Sequence, residues 1–90
     1  MNYSDHASVR MQQRAIPALI VELVLRFGTA EPAGNGTSKL YLDKRARRRV
    51  KSFAGPLAKA IESHLDVYVV ISDSGNVVTT AYRHERIHRH

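Results

Sequence analysis

Residues 65–83 read LDVYVVISDSGNVVTTAYR, two runs of β-branched and aromatic residues separated by Asp73, Ser74, Gly75 and Asn76. β-Branched side chains suit the pleated surface of a strand, and Asp, Ser, Gly and Asn supply the tight reversal between two strands. The stretch therefore predicts a β-hairpin. Because side chains alternate along a strand, the loop length decides which residues share a face. A loop with an even number of residues puts Leu65, Val67, Val69 and Ile71 on one face with Val78, Thr80, Tyr82, His84 and Arg86. That face is apolar beside the turn and polar at its far end, so the second strand is expected to leave the core near His84 and Arg86.

Working outward, KLYLD (39–43) alternates so that Leu40 and Leu42 face one way and Tyr41 the other, which predicts a further strand. Asp43 can then cap a helix carrying the run KRARRRVK (44–51). Val50, Phe53, Leu57 and Ile61 keep helical spacing through Gly55 and Pro56, where a kink is expected. Two helices come earlier. In YSDHASVRMQQRAIP (3–17), Ser4 is the N-cap, Asp5 sits on the positive end of the dipole, and His6, Arg10 and Arg14 form a row one turn apart. In IPALIVELVLRFG (16–28), Pro17 belongs to the first turn and Gly28 to a left-handed C-terminal position. Ile16, Leu19, Ile20, Leu23, Val24 and Phe27 form the apolar stripe of that helix. TAEPAGNGTS (29–38) reads as a loop by composition. The expectation is a single α+β domain over residues 1–90, with two N-terminal helices, a short strand, a basic helix kinked at Gly55-Pro56 and a C-terminal β-hairpin. The helices would pack on one face of a small, three-stranded, mostly antiparallel sheet in which KLYLD is the edge strand beside the hairpin.

A chain of 90 residues buries enough surface for one core and not for two. No apolar run approaches the roughly 20 residues of a membrane helix, so no membrane partner is expected. The opening MNYSDHASVR has no apolar signal segment, which points to a cytoplasmic protein. Cysteine is absent, and with it disulfides, thiolate nucleophiles and Cys-based zinc sites. Net charge is +6, and residues 44–51 alone hold six of the fourteen Lys and Arg and no acid. The other basic residues balance the acidic ones, so the whole excess is one localised field of the kind that attracts a polyanion. Lys44, Arg45, Arg47, Arg48, Arg49 and Lys51 are accordingly the candidate nucleic-acid-binding residues, with RNA or DNA as the expected partner.

HERIH (84–88) spells the H-E-x-x-H signature of zinc proteases. The motif needs both histidines one helical turn apart, whereas here the stretch continues a strand, which would hold His84 and His88 about 13 Å apart at roughly 3.3 Å per residue. No metal and no cofactor are expected. Metal-free cleavage of RNA instead needs a base, an acid and cations for the charged phosphorane. His6, Arg10, Tyr82, Arg83, His84 and Arg86 are the candidate catalytic set, with His6 or His84 as base or acid, Tyr82 as proton donor or stacking surface, and the arginines as charge stabilisers. The competing class is a non-catalytic module that binds nucleic acid, or an acidic protein surface, through residues 44–51.

SDHASVRMQQRAIP resembles the opening of a group of small bacterial proteins of unknown function, in which a His-Ala-x-x-Arg-Met-x-x-Arg pattern precedes a few helices and a terminal hairpin. LYLDKRARRR and the Thr79, Arg83, Arg86, Ile87 ending are similar to segments in the same group. These proteins are in turn distantly similar to RelE-like toxins, which set two N-terminal helices against a small antiparallel sheet and cleave RNA without metal. That resemblance implies a toxin-type endoribonuclease with basic and histidine residues on the sheet, and an antitoxin-like acidic partner.

Overall fold

The structure is a computed structural model and describes residues 3–83. HERIH, and with it the candidates His84 and Arg86, lies outside the described residues. The fold is α+β. Helices α1 (Asp5–Gln13) and α2 (Ala18–Phe27) precede strands β1 (Thr29–Gly34) and β2 (Thr37–Tyr41). Helix α3 (Lys44–Ala54) then passes through a 3-10 turn, Gly55–Leu57, into the short α4 (Ala58–Ile61) and a second 3-10 turn, Glu62–His64. Strands β3 (Val67–Ser72) and β4 (Val77–Tyr82) follow. The four strands form one antiparallel sheet in the order β1-β2-β3-β4.

Local chemistry explains most of the boundaries. The Ser4 hydroxyl accepts the Ala7 amide and starts α1, as its position predicts. That helix ends where Ile16 N–H donates to the Met11 carbonyl around Ala15, whose φ of 53° is the left-handed conformation that usually falls to glycine. Asp43 caps α3 by accepting the Ala46 amide. Gly55, at φ 57°, ends α3 and lets Pro56 open the next turn, which is the expected kink. Gly28 ends α2 in extended backbone and not in the left-handed region expected of it. Its glycine requirement is one of space, because a Cβ there would stand 2.4 Å from the Val24 carbonyl oxygen.

The largest departure from expectation is β1, since TAEPAGNGTS is a hairpin arm and not a loop. Asn35 and Gly36 both have positive φ, 54° and 73°, as a two-residue reversal between right-twisting strands requires. Pro32 is tolerated because β1 lies at the sheet edge. The sheet therefore has four strands, and β2 is an inner strand where an edge was expected.

One face of the sheet carries the core. Leu40, Val67, Val69, Val77 and Thr80 are buried there against Ile16, Ile20, Val21, Leu23 and Val24 from α2 and its approach, Ala7 of α1, and Ala46 and Val50 of α3. The α2 stripe differs from expectation at Leu19, which is 57% exposed, while Val21 is fully buried. Phe53 and Leu57 also face out, at 60% and 65% exposure. In the β3–β4 hairpin, Val67 pairs with Tyr82 and Val69 with Thr80, as an even loop predicts, but a bulge brings Val77 and not Val78 opposite Ile71. The extra residue shifts the alternation by one, so Val77 is buried and Val78 half-buried. Along the free edge of β4, Ser4 N–H donates to the Val77 carbonyl, and α1 packs beside the strand.

Thr80 is fully buried, and its hydroxyl has no hydrogen-bond partner among the described residues. An unpaired buried hydroxyl costs about 1–3 kcal/mol, and valine has nearly the same shape. Thr80→Val is therefore expected to stabilise the fold by about 1 kcal/mol in urea unfolding. A destabilised variant would show that the hydroxyl is satisfied.

Candidate nucleic-acid interface

Helix α3 sorts its basic residues by position. Ala46 and Val50, four residues apart, anchor the buried face, which places Lys44, Arg45, Arg48 and Lys51 toward solvent and Arg47 and Arg49 on the two flanks. Arg47 is committed to the fold. Its Nε donates to the Leu42 carbonyl at 3.1 Å, and its guanidinium pairs with Asp66 just before β3. Lys51 pairs with Glu62 at 3.3 Å. Arg49 lies 5.7 Å from the centre of the Phe27 ring, and Phe27 in turn packs against Phe53. Among the described residues no carboxylate forms an ion pair with Lys44, Arg45, Arg48 or Arg49. Four of the six predicted cations thus keep their charge available on one rigid helix.

Their placement opposes local stability. A helix N-terminus carries partial positive charge, so Lys44 and Arg45 in the first turn each cost about 0.3–1 kcal/mol where an acid would stabilise. Asp43 is the offsetting anion. The hydrogen bond from the Ala46 amide, joined by the Thr29 hydroxyl and the nearby Arg45, holds its carboxyl below the usual aspartate value.

The predicted catalytic residues do not all converge. Ser4 touches Val77 and Ala15 touches Tyr82, so α1 runs alongside β4 from its start to its end. His6 is exposed near the start of this path, and seven further residues of helix carry the chain to Gln13, roughly 10 Å at 1.5 Å per residue, before it reaches Ala15. Tyr82 and Arg83 lie at the far end, while Arg10 is half-buried midway along α1. The Tyr82 hydroxyl is 2.9 Å from His64 Nδ1 and donates to the Ala15 carbonyl at 3.4 Å. Arg83 stacks over the Tyr41 ring at 4.6 Å. A shallow depression joins Arg83 to Leu42, Asp43, Lys44 and Arg47, which brings the end of β4 to the start of the basic helix. His64 was not singled out in the sequence because it falls between segments, in a 3-10 turn. No group of three or more His, Asp or Glu residues suited to holding a metal ion occurs among the described residues, and none of their helices is long and apolar enough to cross a membrane.

Comparison with protein-family models, with curated proteins and with solved structures returned no match.

The division of labour on α3 is testable by stability alone. The Arg47–Asp66 pair is one-third exposed on each side and contributes less than about 1 kcal/mol, but the bond to the buried Leu42 strand end adds about as much again. Arg47→Ala is expected to lose about 1–2 kcal/mol in urea unfolding, while Arg48→Ala stays within about 0.5 kcal/mol of the parent. Equal losses would contradict the assignment.

Proposed function

We propose that this protein binds nucleic acid through the solvent face of α3. The observation that carries the reading is the cluster of Lys44, Arg45, Arg48 and Arg49, four cations with no ion-paired carboxylate among the described residues, on one helix whose own dipole disfavours two of them. Such a cluster attracts the closely spaced phosphates of a polynucleotide and releases its counterions, so affinity follows salt. Arg47 and Lys51, the other two members of the run, mainly hold the helix to the sheet and to Glu62. Four phosphate contacts imply a slope of log affinity against log salt of about −3 for a single strand. In a fluorescence anisotropy titration with a labelled RNA of about 20 nucleotides, exchanging Arg45 and Arg48 for Glu should flatten that slope by about 1.4. Absence of binding at about 150 mM salt would overturn the reading and leave an acidic protein surface as the partner of the same residues.

Metal-independent RNA cleavage is a second reading, favoured by the 2.9 Å contact between His64 and Tyr82. An imidazole hydrogen-bonded to a phenol is a pair able to move a proton. On this reading His64 takes the role that His6 or His84 was expected to fill. With RNA in EDTA, Tyr82→Phe and His64→Ala should each slow cleavage about 100-fold. A parent protein that leaves RNA intact, or variants as active as the parent, would remove the enzyme.

A further inference from the structure

Among the described residues the helices pack on one face of the sheet. Tyr41, Tyr68 and Val70, on the two inner strands, point to the other face, and none of them belongs to the core cluster or packs against it. Tyr41 and Tyr68 are direct cross-strand partners. Their Cβ atoms are therefore about 5 Å apart, and both rings rise from the middle of the sheet on the same face. All three side chains are half-buried, so the outer face is neither a second core nor a plain polar surface. Each ring carries a cation. Lys39 Nζ lies 4.9 Å from the centre of the Tyr68 ring, and the Arg83 guanidinium 4.6 Å from that of Tyr41. Thr79 and Ala81 continue the face toward β4 with small side chains.

This surface is continuous with the basic helix, because the depression beside Arg83 is also lined by Lys44 and Arg47. Charge falls off only in the other direction, where Glu31 stands on the edge strand opposite Lys39.

The geometry points to the outer face of the sheet as a platform for single-stranded nucleic acid, with two bases stacked on Tyr41 and Tyr68 and the flanking phosphates held by Lys39, Arg83 and Lys44. The inference rests on the nucleic-acid reading of α3 and specifies the form of the ligand. Aromatic rings can stack only on bases that are already unpaired, because in a duplex both faces of each base are occupied by its neighbours. The cations now lying over the rings do not prevent this. A cation–π contact of about 0.5–1 kcal/mol is weaker than the about 1–3 kcal/mol of a base stacked on an aromatic ring, and Lys39 sits on a long, flexible stem. A base arriving at the ring displaces the cation toward the phosphate attached to that base, where its charge gains more. Face and helix thus divide the polymer between them, bases to the tyrosines and backbone to the cations.

The test compares a labelled oligothymidylate of about 12 nucleotides with a duplex of the same length, using the full chain and its Tyr41→Leu, Tyr68→Leu, Tyr41→Phe and Tyr68→Phe variants. The parent is expected to prefer the single strand. Each leucine variant should lose about 10-fold in single-strand affinity with little change in salt slope, because stacking is lost and phosphate contacts are kept. Phenylalanine, which keeps the aromatic face, should restore affinity to within about 2-fold of the parent, and thermal melting of every variant checks that the fold is retained. Leucine variants that bind like the parent, or a parent that prefers the duplex, would overturn the platform while leaving the α3 reading intact. A parent that binds neither probe would overturn both.

Discussion

One polar knot determines where everything else in this molecule can go. At the end of the sheet where β1 and β3 begin and β2 and β4 finish, Asp43 accepts the Thr29 hydroxyl and the Ala46 amide, both at 2.8 Å. Next to it, Arg47 donates to the Leu42 carbonyl and pairs with Asp66, whose own carbonyl accepts the Arg83 amide at 2.7 Å. These few groups tie the first turn of α3 to all four strands. Each contact is modest by itself, but together they satisfy backbone groups at a chain crossing that no regular ladder reaches. The helix direction, and with it the direction of its cations, follows from this junction.

The knot also explains how a strongly basic helix folds against its own repulsion. Ala46 and Val50 are fully or nearly fully buried, so the inner face of α3 is held by the same core that anchors α2 and β3. Asp43 and Asp66 neutralise charge where the helix meets the sheet. The remaining cations face solvent, and the sheet end next to them presents Arg83 and the ring of Tyr41. A second concentration of arginine and aromatic residues lies between α3 and α2, where Arg26 sits 5.4 Å from the Phe53 ring and Leu19 is exposed. There the cation lies against hydrocarbon beside Glu22, in a setting less suited to phosphate.

Much of this architecture is legible in the residues themselves. Ser4 and Asp43 announce their caps, Gly55-Pro56 its kink, and residues 65–83 their hairpin, because each depends on chemistry within a few positions. β1 is hidden for a physical reason: Pro32, Gly34 and Gly36 are poor strand residues anywhere except at an edge, and the Asn35-Gly36 turn that reveals the hairpin was outweighed by the composition around it. The bulge before Val77 is equally silent, since it is fixed by how β4 meets Tyr3 and Ser4. At the candidate interface, the sequence names the basic run but cannot say that Arg47 is structural, which depends on a partner nineteen residues away. KLYLD and DVYVVI both place a tyrosine on the face opposite their aliphatics, which makes Tyr41 and Tyr68 candidates for one sheet face. The missing piece was the register that sets them side by side.

Where a polynucleotide touches the protein distinguishes the basic helix and the tyrosine face from every other surface. Amide chemical-shift mapping by NMR, with a short single-stranded oligonucleotide added to the labelled protein, reads this directly. Shifts should gather at Lys39, Tyr41, Lys44, Arg45, Arg48, Tyr68 and Arg83, and be small over α1 and the exposed Leu19 and Phe53 side. Shifts centred on Leu19, Arg26 and Phe53, or none at about 150 mM salt, would contradict it.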